Sequence, residues 1–280
     1  MTVPSSSDST GISIFIDSRI ATVSPSETVS PTATSIFQTV PVMCAGISVT
    51  PRGRIPGLPD LTVIVAARNE ADRIGATLDA LGELFPDAER WVADDASDDG
   101  TAEVALAHGA RVVSRGRSHG KGANVTAAAE AVLSEGVPNL ILVCDGDLGS
   151  SASSLGALVE AVRADGCELA VAAFRRRLGG GFGLALGFAG WAIERRCGFR
   201  AEAPISGQRA MRGEVLAAVL PLAPGYGMEI GMTVDAVRAG YRVCEVELEL
   251  EHRATGRTLS GFAHRGRQLR DFTRVWWARR

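Results

Sequence analysis

The chain has 280 residues, of which 46% are hydrophobic and 22% are charged, and this ordinary globular composition supplies enough apolar material for a core. The 29 basic and 32 acidic residues give a net charge of −3 at pH 7, so the chain as a whole does not attract nucleic acid, and no nucleic-acid partner is expected. No apolar run reaches the roughly 18 to 20 residues of a membrane-spanning helix. The first residues also lack the pattern of a secretory signal.

The cysteines point to a reducing compartment. The five cysteines are odd in number and form no C-x-x-C pair, so the pattern argues against a disulfide framework or a zinc site. We therefore expect a cytoplasmic protein.

Residues 1–59 are rich in Ser, Thr and Pro and have weak hydrophobic periodicity. Such a segment cannot bury enough apolar surface to offset the entropy lost on ordering, so we predict a disordered tail. Within it, only the stretch Ile12–Ile16 has the composition of a strand.

Strands and helices are predicted to alternate four times between Leu61 and Cys144. The expected strands are LTVIVAA, WVADD, RVV and LILVC, and helical spacing separates them at 70–84, 101–108 and 121–133. This alternation predicts an α/β fold whose mostly parallel sheet is flanked by helices. Ligands bind beyond the carboxyl ends of the strands in such sheets, so the loops after Ala66, Val92 and Cys144 are expected to converge.

Asp145 and Asp147 follow the fourth strand and are separated only by Gly146. Two carboxylates at a strand end can hold a hard divalent cation, since Mg²⁺ typically takes one or two protein carboxylates plus substrate phosphates. Such a cation neutralises the charge that develops on a diphosphate leaving group. The alternative is a simple turn, because Asp and Gly favour turns.

Asp94 and Asp95 end the second strand. A carboxylate there can accept hydrogen bonds from a base or a ribose hydroxyl. The alternative is helix capping, for which three residues before the helix at 101–108 are suited, namely Ser97, Asp98 and Asp99. Both interpretations are compatible if Asp95 faces a ligand and the later residues cap.

Four segments in order resemble the motifs of family 2 glycosyltransferases: TVIVAARNEADRI, WVADDASDDGT, SHGKGANVTAAAEA and LILVCDGDLGS. The resemblance covers about Leu61 to Ser260 and implies a GT-A (Rossmann-like) fold. It implies a single catalytic domain at 60–260, with a nucleotide-sugar half at 60–170 and an acceptor half at 171–260. A basic aromatic segment, 261–280, follows.

The resemblance also implies a donor site for a UDP- or GDP-hexose. Its nucleotide-sugar contacts would be Ala67, Glu70, Asp95, Lys121 and Asp145. Asp145 and Asp147 would hold Mg²⁺ or Mn²⁺, and Asp147 would be a catalytic residue. Arg68 departs from the usual first motif, so the nucleotide base is not assigned.

The second half resembles two groups of acceptor domain. The segments APISGQRAMRGEVL and GYRVCEVELELEHRATGRTLSG look like parts of dolichyl- or polyprenyl-phosphate glycosyltransferases. That resemblance implies His252 as a third metal ligand, although an isolated histidine at a strand end is more often a surface residue. It also implies acceptor contacts at Ser206, Arg209 and Arg253, to which Arg175 adds a guanidinium suited to phosphate.

The segment GYGMEIGMTVDAVRAG resembles glucosyl-3-phosphoglycerate synthases instead. Glu229 would then be a catalytic general base for a hydroxyl acceptor. With a phosphate acceptor no base is needed, and Glu229 would position other groups. A carboxylate favoured by a helix N-terminus is the remaining alternative.

Two apolar and basic segments, 178–193 and 261–280, are typical either of peripheral membrane contact or of a core helix with an exposed basic tail. The main hypothesis is hexose transfer to polyprenyl phosphate at the inner face of the cell membrane. One alternative is transfer to a small soluble phosphorylated acceptor. The other is a non-catalytic protein that binds a nucleotide sugar or a membrane.

Overall fold

The computed structural model of the chain describes residues 12–16, 19–21, 60–174, 183–250 and 270–279. These ranges form one mixed sheet of nine strands in the order β2-β1-β5-β4-β3-β6-β8-β7-β9. The strands are β1 (Ile12–Ile16), β2 (Arg19–Ala21), β3 (Leu61–Ala67), β4 (Glu89–Asp94), β5 (Arg111–Arg115), β6 (Leu140–Asp145), β7 (Leu169–Phe174), β8 (Arg209–Arg212) and β9 (Val243–Leu248).

The helices connect these strands and cover both faces of the sheet. They are α1 (Ile74–Leu84), α2 (Thr101–Ala107), α3 (Lys121–Glu135), α4 (Gly156–Arg163), α5 (Gly183–Cys197), α6 (Gly213–Val219) and α7 (Met228–Arg238). Short 3₁₀ helices lie at Gly149–Leu155 and Gly225–Gly227, and residues 270–278 are helical. Among the described residues, none of the helices has the length and apolar character needed to span a bilayer.

The predicted α/β fold is confirmed in the centre of the sheet. Strands β5, β4, β3 and β6 are parallel neighbours, as the alternation of strands and helices predicted. The second half adds β8, which is antiparallel to both β6 and β7, and β9, which is parallel to β7. The result is the mixed, mostly parallel sheet of a GT-A-like fold.

Strand β3 is apolar except for Thr62, as is typical of a strand whose two faces are both buried. Val63 and Val65 pack into a cluster with helices α1 and α4, whereas Ile64 packs into a second cluster with α3, α6 and α7. The helices thus enclose the sheet, and its carboxyl edge is left for a site.

A third hydrophobic cluster lies away from the sheet. It joins α5, α7 and residues 270–279 through Ile193, Ile230, Val234, Phe272 and Val275, all of which are buried. The apolar stretch 178–193 therefore supplies part of a packed helix in its described portion.

The N-terminal region differs in part from the predicted tail. Strand β1 pairs antiparallel with β5, with Ile14 opposite Val113, and β2 pairs with β1. The strand composition of Ile12–Ile16 therefore corresponds to a strand, which lies between β5 and the edge strand β2. The other residues of 1–59 lie outside the described residues, and their predicted disorder stays a prediction.

The expectation of no disulfide is wrong in one place. The structure joins Cys167 and Cys244, whose Cα atoms are 5.8 Å apart, as a disulfide. The two residues are 77 positions apart, and the parallel pairing of β7 with β9 brings them together. Cysteine spacing could not reveal this contact because it arises from sheet topology.

Ala96 occupies a left-handed conformation with φ of 56° in the turn that follows β4. A Cβ atom in this region is crowded by the backbone, so a non-glycine residue there costs roughly 1–2 kcal/mol. Asp95 and Ser97 flank Ala96 in this turn. We infer that the hydrogen bonds of these two neighbours hold the turn in its strained conformation.

Ala96→Gly is expected to raise the free energy of unfolding by about 0.5–1 kcal/mol, because glycine adopts positive φ without the Cβ penalty. Urea unfolding measures the change. The matched control is Ala76→Gly, an exposed position inside α1, which should lower stability by about 0.5–1 kcal/mol. A loss of stability in both variants would show that the turn is not strained.

Candidate active site

The carboxyl ends of three neighbouring strands meet at one edge of the sheet. Ala67 of β3 lies opposite Asp94 of β4, and Ala66 lies opposite Asp145 of β6. The polar loops that follow these strands are thereby brought together, as the sequence predicted.

The turn that carries Asp145 and Asp147 is fixed by helix α1. The Thr77 hydroxyl donates to the Gly146 carbonyl at 2.8 Å, and Arg73 Nη1 donates to the Asp147 carbonyl at 2.8 Å. The Gly146 amide donates to the Ala66 carbonyl at 2.9 Å. The sequence did not reveal the roles of Arg73, the residue that precedes α1, and Thr77 in its first turn, for which the only signal was their i, i+4 spacing.

Lys121 is the centre of the site. It is the first residue of α3, and its Nζ lies 2.6 Å from Asp145 Oδ1 and 3.0 Å from Glu229 Oε1. Gln208 Nε2 donates to the other Asp145 oxygen at 2.8 Å. The structure therefore brings together Lys121 and Asp145 from the predicted donor half and Glu229 from the predicted acceptor half.

The charge of Lys121 is stabilised by this arrangement. Burial by itself lowers the pKa of the Lys121 ammonium, but the charges of Asp145 and Glu229 outweigh burial and raise that pKa above its ordinary value. Lys121 is thus a fixed cation between two carboxylates at neutral pH.

Gly207 leaves the space in which this pair forms. A Cβ at that position would collide with the Lys121 amine and would lie 2.7 Å from Asp145 Oδ2. Any larger residue at 207 must therefore displace the Lys121 amine or the Asp145 carboxylate.

Asp95 is buried and binds the loop that precedes α3. Its carboxylate accepts from the Ser118 hydroxyl at 2.7 Å, from the His119 amide at 2.7 Å and from the Gly120 amide at 3.0 Å. Arg68 Nη1 lies 3.9 Å from it. In this structure Asp95 orients the loop that leads to Lys121, and its contact with a nucleoside stays a prediction.

Asp99 lies just before α2, whose N-cap is Gly100 and has no side-chain cap, so the capping alternative stays a prediction. Its two oxygens accept from the Thr101 amide and the Ala71 amide, each at 3.0 Å. Burial opposes ionisation, but the hydrogen bond of the Thr101 hydroxyl and these two amide hydrogen bonds together outweigh it and lower the pKa of Asp99. Asp99 thus ties the start of α2 to the loop after β3.

Ala67 and Glu70 lie at the same edge. The Ala67 carbonyl accepts from the Asp95 amide at 3.0 Å, and the Glu70 amide donates to the Thr101 hydroxyl at 2.9 Å. Their backbones therefore hold the loops after β3 and β4 in place, and their nucleotide contacts stay predictions.

Arg209 and Ser206 are buried behind the site. Arg209 Nε donates to the Ser206 carbonyl and Nη1 donates to the Thr233 hydroxyl, both at 2.9 Å. Burial lowers the pKa of Arg209 to about 10, against the opposing charges of Glu229 and Glu245, so it remains protonated at neutral pH. Here Arg209 contacts protein groups, and the predicted contacts of Arg209 and Ser206 with an acceptor stay predictions.

Three predicted residues, Arg175, His252 and Arg253, lie outside the described residues. Within the described part of the chain, no cluster of three or more metal-ligating side chains occurs. The Asp145 carboxylate nevertheless fits a divalent cation, because it already binds a positively charged group. The Lys121 ammonium lies 2.6 Å from it. Asp145 and Asp147 would supply the one or two carboxylates that Mg²⁺ requires alongside phosphate oxygens.

The chain belongs to glycosyl transferase family 2, whose family model matches residues 62–205, just over half of the chain. A glucosyl-3-phosphoglycerate synthase from Mycolicibacterium paratuberculosis is 32% identical over 202 residues, which cover 62% of this chain and 59% of that protein. The chain thus spans less than two thirds of that relative. An undecaprenyl-phosphate mannosyltransferase from Micrococcus luteus is 28% identical over 214 residues, covering 69% of this chain and 84% of that protein.

Solved structures of a glucosyl-3-phosphoglycerate synthase from Mycobacterium tuberculosis share the fold. A complex with Mg²⁺ and uridine diphosphate matches at a TM-score of 0.65 and 25% identity, covering 81% of this chain and 79% of that chain. A complex with Mn²⁺, uridine-diphosphate-glucose and phosphoglyceric acid matches at a TM-score of 0.64 and 25% identity, covering 81% and 80% of the two chains.

Gly207→Ala is expected to lower the free energy of unfolding by about 1–3 kcal/mol, because the added methyl group overpacks the Lys121–Asp145 pair. Urea unfolding measures this loss. Gly187→Ala is the matched control, since a Cβ there meets open space inside α5, and it should be neutral or stabilising. Equal stability of Gly207→Ala and the wild type would show that the Lys121–Asp145 pair accommodates the added methyl group without cost.

Proposed function

We propose that this protein transfers a hexose from a nucleotide-sugar donor, a UDP- or GDP-hexose, to a phosphorylated acceptor, and that the acceptor is polyprenyl phosphate. The observation that carries the proposal is the contact of Lys121 with Asp145 on one side and Glu229 on the other. It joins a strand-end carboxylate, a helix N-terminus and a buried acidic residue in one crevice.

On the donor side, the chain offers groups of both charges. Asp145 and Asp147 would hold Mg²⁺ or Mn²⁺, which when bound supplies charge neutralisation for the diphosphate. Lys121 adds a positive charge at the N-terminus of α3, where the helix dipole also favours anions. The M. tuberculosis complexes with uridine diphosphate and metal support this assignment.

On the acceptor side, the role of Glu229 separates two candidates. Its carboxylate is buried and pairs with Lys121, an arrangement suited to orienting Lys121. A phosphate acceptor needs no proton removal, because its oxygen is already anionic. The relation to the M. luteus mannosyltransferase supports this choice.

The second candidate acceptor is the hydroxyl group of a small soluble phosphorylated acid. The observation in its favour is that Glu229 Oε1 lies at the crevice within reach of the same Lys121 amine that contacts Asp145. A carboxylate so placed could remove a hydroxyl proton. The M. tuberculosis complex that contains phosphoglyceric acid supports this alternative.

A polyprenyl phosphate acceptor would place the protein at the inner face of the cell membrane. A catalytic role is favoured over a purely binding role because the Lys121 ammonium contacts two carboxylates, those of Asp145 and Glu229. A site that only binds a nucleotide sugar does not require this arrangement of charges. The location and the catalytic role are tested by the same transfer assay.

In that assay, label from a radioactive UDP- or GDP-hexose is expected to enter an organic-extractable product with polyprenyl phosphate and Mn²⁺. Glu229→Gln should lower this rate by less than about tenfold, because no general base is needed. If the acceptor is 3-phosphoglycerate instead, the label stays water-soluble and Glu229→Gln lowers the rate by roughly 10²-fold or more. The control is Glu214→Gln, an exposed carboxylate on α6.

Lys121 should also compete with the divalent cation for Asp145. Lys121→Met is therefore expected to tighten Mn²⁺ binding to the nucleotide-free protein roughly tenfold, a change of about 1.4 kcal/mol. Titration followed by the Mn²⁺ electron paramagnetic resonance signal measures this affinity. Lys121→Arg keeps the charge and should leave Mn²⁺ binding weak. Unchanged or weaker binding to Lys121→Met would contradict a shared site.

A further inference from the structure

An aromatic surface is formed where α5 meets the C-terminal helical residues 270–278. The ring of Trp191 lies 5.6 Å from that of Phe188 and 5.5 Å from that of Trp276, and Trp276 lies 6.0 Å from Trp277. The Arg196 guanidinium lies 4.0 Å from the centre of a Trp276 ring. We call these five residues the tryptophan surface.

This surface exposes apolar area that a core would normally bury. Trp191 is 49% exposed and Trp277 is 57% exposed. The other strongly exposed large hydrophobic residue in the described part of the chain is Val137, which is distant in sequence from both tryptophans. Clustered exposed aromatic side chains mark interaction sites. The tryptophan surface is therefore a candidate contact surface.

The charge around the tryptophan surface has the opposite sign to that of the chain. Helix α5 and residues 270–279 carry five arginines and two carboxylates, and because Arg279 pairs with Asp235 of α7 the local surplus is two positive charges in a chain whose net charge is −3. Exposed arginines such as Arg195 and Arg274 lie on these two segments. A surface of this charge is complementary to an anionic partner.

The combination of indole rings and guanidinium groups favours a lipid surface. Tryptophan is enriched at the level of lipid headgroups, where its ring is apolar and its N–H is polar. Arginine can bury its aliphatic stem while its charged end reaches the headgroups. Each basic residue near an anionic leaflet contributes about 1 kcal/mol of attraction.

The tryptophan surface is physically linked to the candidate active site. The Tyr226 amide lies 3.4 Å from an Asp271 oxygen, and a Cβ on Gly227 would collide with the Val275 side chain. The segment 225–227 leads directly into α7 and Glu229, and Gly225 also packs against Gly120, which precedes Lys121. The C-terminal helical residues thus support the loop at the acceptor side of the crevice.

We propose that the tryptophan surface docks this protein onto an anionic lipid bilayer and so holds the acceptor side of the crevice close to the membrane. This inference rests on the proposed function in one respect, because a polyprenyl phosphate acceptor resides in a bilayer. The docking itself involves no donor, metal or acceptor. It can therefore be measured with vesicles that contain none of them.

The experiment is co-sedimentation of the full chain with phosphatidylcholine vesicles that contain or lack phosphatidylglycerol. The wild type is expected to bind the anionic vesicles, and to bind them more weakly as salt is raised. The double variant Trp191→Ser, Trp277→Ser should lose at least about tenfold in affinity. Val137→Ser, which removes an exposed apolar side chain elsewhere, is the matched control and should bind like the wild type.

A second variant tests the charge component without removing any ring. Arg195→Glu, Arg274→Glu should lower binding to anionic vesicles and leave the far-ultraviolet circular dichroism unchanged, since both arginines are exposed. Tryptophan fluorescence gives an independent signal. Trp91 is buried in the core, so a blue shift on vesicle binding would come from the tryptophan surface.

Two results would overturn the docking proposal. The first is wild-type binding that is absent, or that is equal for neutral and anionic vesicles. The second is a dimer seen by analytical ultracentrifugation that the Trp191→Ser, Trp277→Ser variant abolishes, which would assign the surface to a second copy of the chain.

If vesicle binding fails while detergent-solubilised polyprenyl phosphate is still glycosylated, only the docking proposal is wrong. If vesicle binding holds and no transfer occurs, only the proposed function is wrong.

Discussion

The structure of the site depends on one partly buried charge arrangement, in which the Lys121 ammonium lies between the carboxylates of Asp145 and Glu229. Glu229 is buried, so removing its cationic partner would leave an uncompensated charge, a change that typically costs about 3–5 kcal/mol. The three residues come from α3, from the end of β6 and from α7. The contact therefore holds the end of β6 and the start of α3 against α7. Any donor or acceptor must bind beside these three elements.

The central part of the fold could be predicted because its signals are local. Strand β3 is apolar except for Thr62, and Val63 and Ile64 are buried on opposite faces of the sheet. Helical periodicity separates the strands that follow. The insertion of β8 between β6 and β7, and the pairing of β7 with β9, had no local signal. The Cys167–Cys244 disulfide was missed for the same reason, because it depends on that pairing.

The candidate site was predictable to the extent that strand ends determine it. Asp145 was expected at the sheet edge and lies there, and Lys121 lies beside it at the N-terminus of α3. Gln208, which holds the second Asp145 oxygen, could not be found from spacing because it comes from a distant segment. For Arg209 the chemistry was evident from the sequence but the surroundings were not. Its guanidinium is suited to phosphate, and in the structure it is buried against Ser206 and Thr233. Sequence patterns identified the chemistry of these side chains, whereas the tertiary packing determined which of them face the crevice.

In the proposed reaction, the acidic turn at the end of β6 binds a divalent cation together with a nucleoside diphosphate. The most direct measurement is anomalous X-ray diffraction from crystals of the chain grown with Mn²⁺ and a nucleoside diphosphate. We expect a manganese peak at about 2.0–2.2 Å from carboxylate oxygens of Asp145 or Asp147, with diphosphate oxygens completing the coordination and Lys121 displaced from Asp145. A diphosphate bound in the crevice with no manganese at these carboxylates, or manganese bound elsewhere, would contradict it.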